Sequence, residues 1–172
     1  MAVDALVAPL LRVELFQGLK PLQITEIARQ ADRVVFRAGD KITEAGTSGD
    51  AAYLIVSGAA EWLYGSGVRS GDEIEIGSLI GEMAMLIEHT YGSTIVATSA
   101  VRCLKLNRDA MHQLMIEDQA LAQHLTAKIS ARLQLIASEL RSIDGDCAPE
   151  SGTPEIIFER TESSEMNFSL TH

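Results

Sequence analysis

The chain is short of the residues that metal and redox chemistry need. It has two cysteines, Cys103 in an apolar run and Cys147 in a polar stretch, and no Cys-x-x-Cys. Two cysteines in such different settings build no disulfide framework, and zinc or iron–sulfur sites lack ligands. The four histidines, His89, His112, His124 and His172, stand at no ligand spacing. His112 and His124 read as ordinary helix-surface residues, and no metal is expected. No apolar run reaches about 18 residues, so no membrane span is expected. The apolar start lacks the basic residues and cleavage site of a signal peptide, and a cytoplasmic location is expected. Catalytic constellations are missing as well. There is no Gly-x-Ser-x-Gly, and Asp40, Asp50, Asp72 and Glu73 stand by glycines, where carboxylates close turns. The expectation is a protein that is not an enzyme.

Basic residues are also scarce, with 14 lysines and arginines against 24 acids and a net charge of −10. Nothing in that balance attracts phosphates or anionic lipid, so neither nucleic acid nor a membrane is an expected partner. The imbalance is uneven. Residues 144–172 hold seven acids and one base, a net of −6, and the other 143 residues carry only −4. What is present is a normal hydrophobic share, 47% of 172 residues, enough for one domain with a tail.

Hydrophobic spacing divides the chain into three stretches. Residues 2–16 carry Leu6, Leu10, Leu11, Val13, Leu15 and Phe16 at helical spacing. Gly18 breaks that pattern, and Pro21 suits the start of a second helix over 21–31. From Val34 to Leu106 the chain falls into short β-branched or aromatic runs, Arg33–Phe36, Lys41–Thr43, Ala52–Val56, Ala59–Tyr64, Glu73–Ile76, Ser93–Thr98 and Val101–Leu106. Glycine turns separate them, the pattern of an antiparallel sandwich or roll. Glu82–Ile87 departs from it and reads as one or two helical turns after Gly81. A short helix then carries Met111, Leu114 and Met115, and Asp118 caps a long one running to about Ile143. Within it Ile129, Leu133, Ile136, Leu140 and Ile143 step by 4, 3, 4 and 3, a coiled-coil seam over about two heptads. Pairing of two copies or a partner through this seam is one reading; packing on the protein's own sheet is the other. Residues 144–172 have the composition of a flexible acidic tail, with apolar clusters at Ile156-Ile157-Phe158 and at Met166, Phe168 and Leu170 that could dock.

The most specific stretch is Phe36, Gly39-Asp40, Ile42, Gly46, Gly49-Asp50, Tyr53, Ile55 and Gly58. Tight strand reversals need glycines at such places. This resembles the first half of the cyclic-nucleotide-binding domain family, which includes catabolite-activator-type regulators, regulatory subunits of cyclic-nucleotide-dependent kinases, and gated channels. Ile76-Gly77 and Ile80-Gly81-Glu82-Met83-Ala84-Met85-Leu86 resemble the family's phosphate-binding cassette. The resemblance covers about residues 14–142. It implies an α+β fold: an antiparallel β-roll of the jelly-roll type, with N-terminal helices and a long C-terminal helix. It also implies that Gly81 and the turn after it offer backbone N–H groups to a cyclic phosphate, and that Glu82 stands where the family's carboxylate takes the ribose.

One departure outweighs these matches. Ligand-binding members carry an arginine ten residues after the cassette glycine, and here that position is Tyr91. No lysine or arginine stands between Arg69 and Arg102. An arginine offers a charged planar fork to phosphate oxygens. Its loss costs about 1.5–3 kcal/mol of net hydrogen bonding, roughly a ten- to hundredfold weaker affinity. A remote cation such as Arg69 or Arg102 folding into the hollow is the one rescue considered.

The reading is a domain over residues 1–143 followed by the tail 144–172. It is expected to regulate or scaffold a partner protein, with a homodimer through the long helix as one arrangement and no cofactor assured. The alternative is a true cyclic-nucleotide sensor using Gly81, Glu82, Met83, Tyr91, Ser93 and Thr94. Ser93 and Thr94 also fit a plain strand, and Glu82 also fits a residue that ties down the cassette backbone. The 29 residues after Ile143 are acidic and proline-broken, so no DNA-reading domain of the catabolite-activator kind is expected in them.

Overall fold

The computed structural model describes the backbone of residues 4–65 and 67–144 and the side chains of 5–65 and 67–141. The tail clusters Ile156-Ile157-Phe158 and Met166, Phe168 and Leu170, and the side chain of Ile143, lie outside the described residues. The first helical stretch is two pieces, helix α1 (Asp4–Leu11) and a 3-10 turn (Glu14–Phe16), rather than one helix over 2–16. Val13, between them, is extended at φ −71° and ψ 123°, which breaks the helical hydrogen bonding. Helix α2 (Pro21–Gln30) starts on the expected proline.

Ten strands follow: β1 (Asp32–Phe36), β2 (Lys41–Thr43), β3 (Ser48–Gly49), β4 (Ala51–Ser57), β5 (Ala60–Leu63), β6 (Arg69–Ile74), β7 (Leu79–Ile80), β8 (His89–Thr90), β9 (Thr94–Ala97) and β10 (Val101–Asn107). They form two four-stranded antiparallel sheets, β1-β10-β4-β7 and β2-β9-β5-β6, and a small β3-β8 ladder. This is the expected antiparallel roll. β6 runs earlier than the expected Glu73–Ile76, because its partner β5 sets its register, from Ala60 opposite Ile74 to Leu63 opposite Arg69.

Alternation along the strands builds two cores, because successive side chains point to opposite faces. On β4 and β10, Ala52, Leu54, Leu104 and Leu106 face one way and join Leu10, Phe16, Ile24, Ile27, Met111, Leu121 and Leu125 from the helices. Ile55, Val101 and Cys103 face the other way and meet Ile42, Ala60, Ile74, Ile80, Ile95 and Ala97 inside the roll. Each fully buried Leu or Ile contributes roughly 1.5–3 kcal/mol relative to exposure. Cys103 is one of these core residues, and burial pushes its thiol up to about 12. It packs as a small apolar residue and is no nucleophile at neutral pH. At the β4–β5 turn Gly58 has φ +93°, and a Cβ there would lie 2.3 Å from the Ala100 carbonyl oxygen. Only glycine fits that crossing.

Helix α3 (Arg108–Glu117) leads directly into helix α4 (Gln119–Asp144). Asp118 between them is the expected cap. Its Oδ1 accepts hydrogen bonds from the backbone N–H groups of Ala120 at 2.9 Å and Leu121 at 3.0 Å. Its Oδ2 accepts one from Gln23 Nε2 at 2.7 Å, which ties α2 to the start of α4. The bond from Gln23 and those from the helix N–H groups hold the Asp118 carboxyl below its ordinary value. A depressed carboxyl stabilises the fold above its ordinary pKa of 3.8, and that contribution disappears as the pH falls through the lowered value. Asp118→Asn should therefore melt lower than wild type at neutral pH. The two melting curves should converge as the pH drops below 3.8, read by circular dichroism.

Candidate functional site

The cassette begins where β7 ends. Gly81 sits in the left-handed region, φ 70° and ψ 32°, and opens a 3-10 turn over Glu82–Met85. Ala84 and Met85 anchor that turn in the core. Helix α3 braces its far end. Arg108 Nη1 donates to the carbonyls of Gly49 at 3.0 Å and Ile87 at 3.1 Å, and a ring nitrogen of His112 lies 2.7 Å from the Leu86 carbonyl oxygen. His112 is thus more than the plain surface residue expected of it.

Tyr91 occupies the hollow beside Gly81. The residue is only 8% exposed. A Cβ on Gly81 would meet its ring at 2.7 Å, and one on Gly49 would meet it at 2.8 Å. The ring therefore lies against two stretches of bare backbone. Its hydroxyl donates to the Ala51 carbonyl at 2.8 Å. Its own backbone is fixed at both groups, with its N–H donating to Thr47 O at 3.0 Å and its carbonyl accepting from Gly46 at 2.9 Å. Burial raises the Tyr91 hydroxyl above its ordinary value, and burial with the neighbouring Tyr91 and Asp50 pushes Tyr53 to about 12. Both stay neutral near pH 7, so neither supplies charge.

A cavity of about 220 Å³ remains outside the tyrosine, lined by Glu82, Met83, His89, Ser93 and Arg132 among others. Arg69 and Arg102, the cations considered from the sequence, are not among its lining residues; Arg132 of α4 is. Its Nη1 lies 2.8 Å from Glu82 Oε1 and donates to Oε2 at 2.9 Å, so one nitrogen sits astride both oxygens. The Glu82 side chain is 16% exposed and that of Arg132 57%. Burial raises the Glu82 carboxyl, Arg132 opposes that shift, and Glu14 adds to it. Glu82 thus neither ties the cassette backbone nor stands free for a ribose. Ser93 and Thr94 lie at the start of β9, as the plain-strand reading has it. Thr94 Oγ1 accepts from the Ala45 N–H at 2.9 Å, and Thr43 Oγ1 donates to the Ser93 carbonyl at 3.0 Å.

On α4, Ile129 packs half-buried on the helix-side core, while Leu133, Ile136 and Leu140 are exposed. Leu135, outside the expected seam, is exposed as well. The seam residues therefore divide between the protein's own core and solvent. Among the described residues no group of three or more His, Cys, Asp or Glu could hold a metal ion, and no helix is long and apolar enough to cross a membrane.

Tyr91→Phe keeps the ring and removes the bond to Ala51, leaving a buried carbonyl without its partner. We expect a loss of about 1–3 kcal/mol of unfolding free energy. Urea denaturation should show a lower midpoint at unchanged slope.

Comparison with known proteins agrees with this geometry. The family described as the cyclic nucleotide-binding domain matches residues 33–118. A cAMP-dependent protein kinase regulatory subunit from Aspergillus fumigatus is 32% identical over 120 residues, 69% of this chain and 29% of that protein. The one from Aspergillus niger is 35% identical over 62% of this chain and 26% of its own length. The chain thus spans under a third of these relatives. Among solved structures, a cyclic nucleotide-binding-like protein from Brucella abortus aligns with a TM-score of 0.60 and 28% identity, covering 67% of this chain and all of that one. The N-terminal domain of a transcriptional regulator from Streptomyces coelicolor aligns with a TM-score of 0.66 over 87% of this chain and all of its own, and at 21% identity it supports the fold alone. With its two-sheet roll, its glycine-led cassette and this match, the chain belongs to the cyclic nucleotide-binding domain family, a family of binding rather than catalytic domains.

Proposed function

We propose that this chain is a regulatory module whose cassette is filled by its own residues, and that it acts through contacts with protein. The observation that supports this best is the Tyr91 ring packed between Gly49 and Gly81 with its hydroxyl spent on Ala51. A cyclic phosphate arriving there meets a neutral ring instead of a guanidinium, and the one arginine at the cavity wall is already paired with Glu82. The regulatory role is carried over from relatives named as kinase regulatory subunits. The working unit is residues 1–143, its setting is the cytoplasm, and its acidic charge suits neither nucleic acid nor anionic lipid.

Calorimetry with cyclic AMP and cyclic GMP is the direct test. Silence up to millimolar ligand is the expected result. The alternative, a genuine nucleotide sensor, draws on the open cavity that Glu82 still lines. Micromolar binding that disappears in Glu82→Ala would select it.

The protein contacts are assigned to the exposed face of α4, where Leu133, Ile136 and Leu140 stand 49%, 46% and 59% exposed. Apolar residues at this spacing are the material of a two-stranded seam. Light scattering after size exclusion should give a dimer for wild type and a monomer for Leu133→Glu. A wild-type monomer that the substitution leaves unchanged would remove the seam.

A further inference from the structure

The pair between Glu82 and Arg132 joins residues 50 positions apart in sequence. It is the hydrogen-bonded tie between the cassette and helix α4. Arg132 also lines a second hollow, of about 460 Å³, with Glu14, Leu15, Lys128, Ile129 and Leu135. One guanidinium thus forms part of the wall of both cavities, and it lies next in sequence to Leu133 on the exposed apolar face.

The two ends of the pair differ in what they lose when parted. Arg132 is mostly in water already, and its release costs little. Glu82 is largely buried, and a buried charge stripped of its partner is strongly unfavourable. Parting the pair therefore leaves its penalty on the cassette side. The turn must open until water reaches the carboxylate.

We propose that Arg132 is a trigger: drawing it away from Glu82, by a partner engaging α4 or by an anion entering either hollow, opens the cassette turn. This rests on the reading of the module as one that works through α4, and it supplies the regulation of that site. Coupling of this kind is reciprocal, so a cassette that opens for any other reason also loosens its hold on α4.

Hydrogen exchange of the full chain, followed by mass spectrometry, tests this without any ligand. The peptides to follow cover residues 79–91 and 126–136. Arg132→Gln strands the Glu82 charge, and both segments should exchange about threefold or more faster. Adding Glu82→Gln removes the stranded charge, and the double variant should return most of the way to wild type. Arg132→Lys keeps a cation in reach and should lie between. Acceleration that persists undiminished in the double variant would mean that Arg132 acts only through packing of its stem, and would overturn the proposal. So would acceleration confined to 126–136, or none at all. Arg132 is exposed enough that its substitution should not unfold the chain, and circular dichroism checks that point. Nucleotide binding in calorimetry would overturn the filled-cassette reading and leave this outcome untouched.

Discussion

Everything at the site follows from one packing constraint: a single aromatic ring lies against two backbones that carry no side chain. Gly49 comes from the ladder strand β3 and Gly81 from the start of the cassette turn, and the Tyr91 ring touches both. The residue belongs to the segment that pairs β8 with β3, so its position is set by backbone hydrogen bonds before its side chain is considered. The hydroxyl then finds the Ala51 carbonyl at the head of β4. Four pieces of the roll that are distant in sequence are thus fixed through one residue. The place where ligand-binding relatives keep a charge has become, in this chain, a neutral joint.

That change alters the electrostatics of what is left. With no cation beneath it, the cassette holds one largely buried carboxylate, Glu82, and burial disfavours its charge. The compensation comes from outside the roll, from Arg132 on α4. Arg108 illustrates the contrast. It also reaches the cassette from a helix, yet it bonds to the Gly49 and Ile87 carbonyls and so serves the frame. One arginine braces the turn, and the other neutralises it.

Much of the fold was legible because its signals are local. Alternating runs gave β2, β4, β5, β9 and β10 to within a residue or two at each end, Pro21 gave the start of α2, and Asp118 gave the cap of α4. The two-residue strands β3, β7 and β8 were not legible, since two residues carry no period. β6 was misplaced because a partner strand, not its own composition, sets its register. At the site, the glycine of the cassette and the substitution at Tyr91 could be read directly. The origin of the nearest cation could not. Arg132 lies far along the chain in a helix with an ordinary charge pattern, and only the packing of α4 brings it to Glu82. One signal did exist: a buried carboxylate needs a partner, and its own segment holds no cation to supply one.

Asp118 does more than end one helix and begin another. Through Gln23 it pins the first turn of α4 to α2, while the next charged tie to the roll comes only at Arg132. Fourteen residues of helix separate these points, about 21 Å of rigid rod. The helix is therefore a lever with its fulcrum at the cap. A tilt of about ten degrees there carries the far guanidinium roughly 4 Å, beyond hydrogen-bond reach of its carboxylate. The geometry converts a small rotation at one end into a make-or-break event at the other.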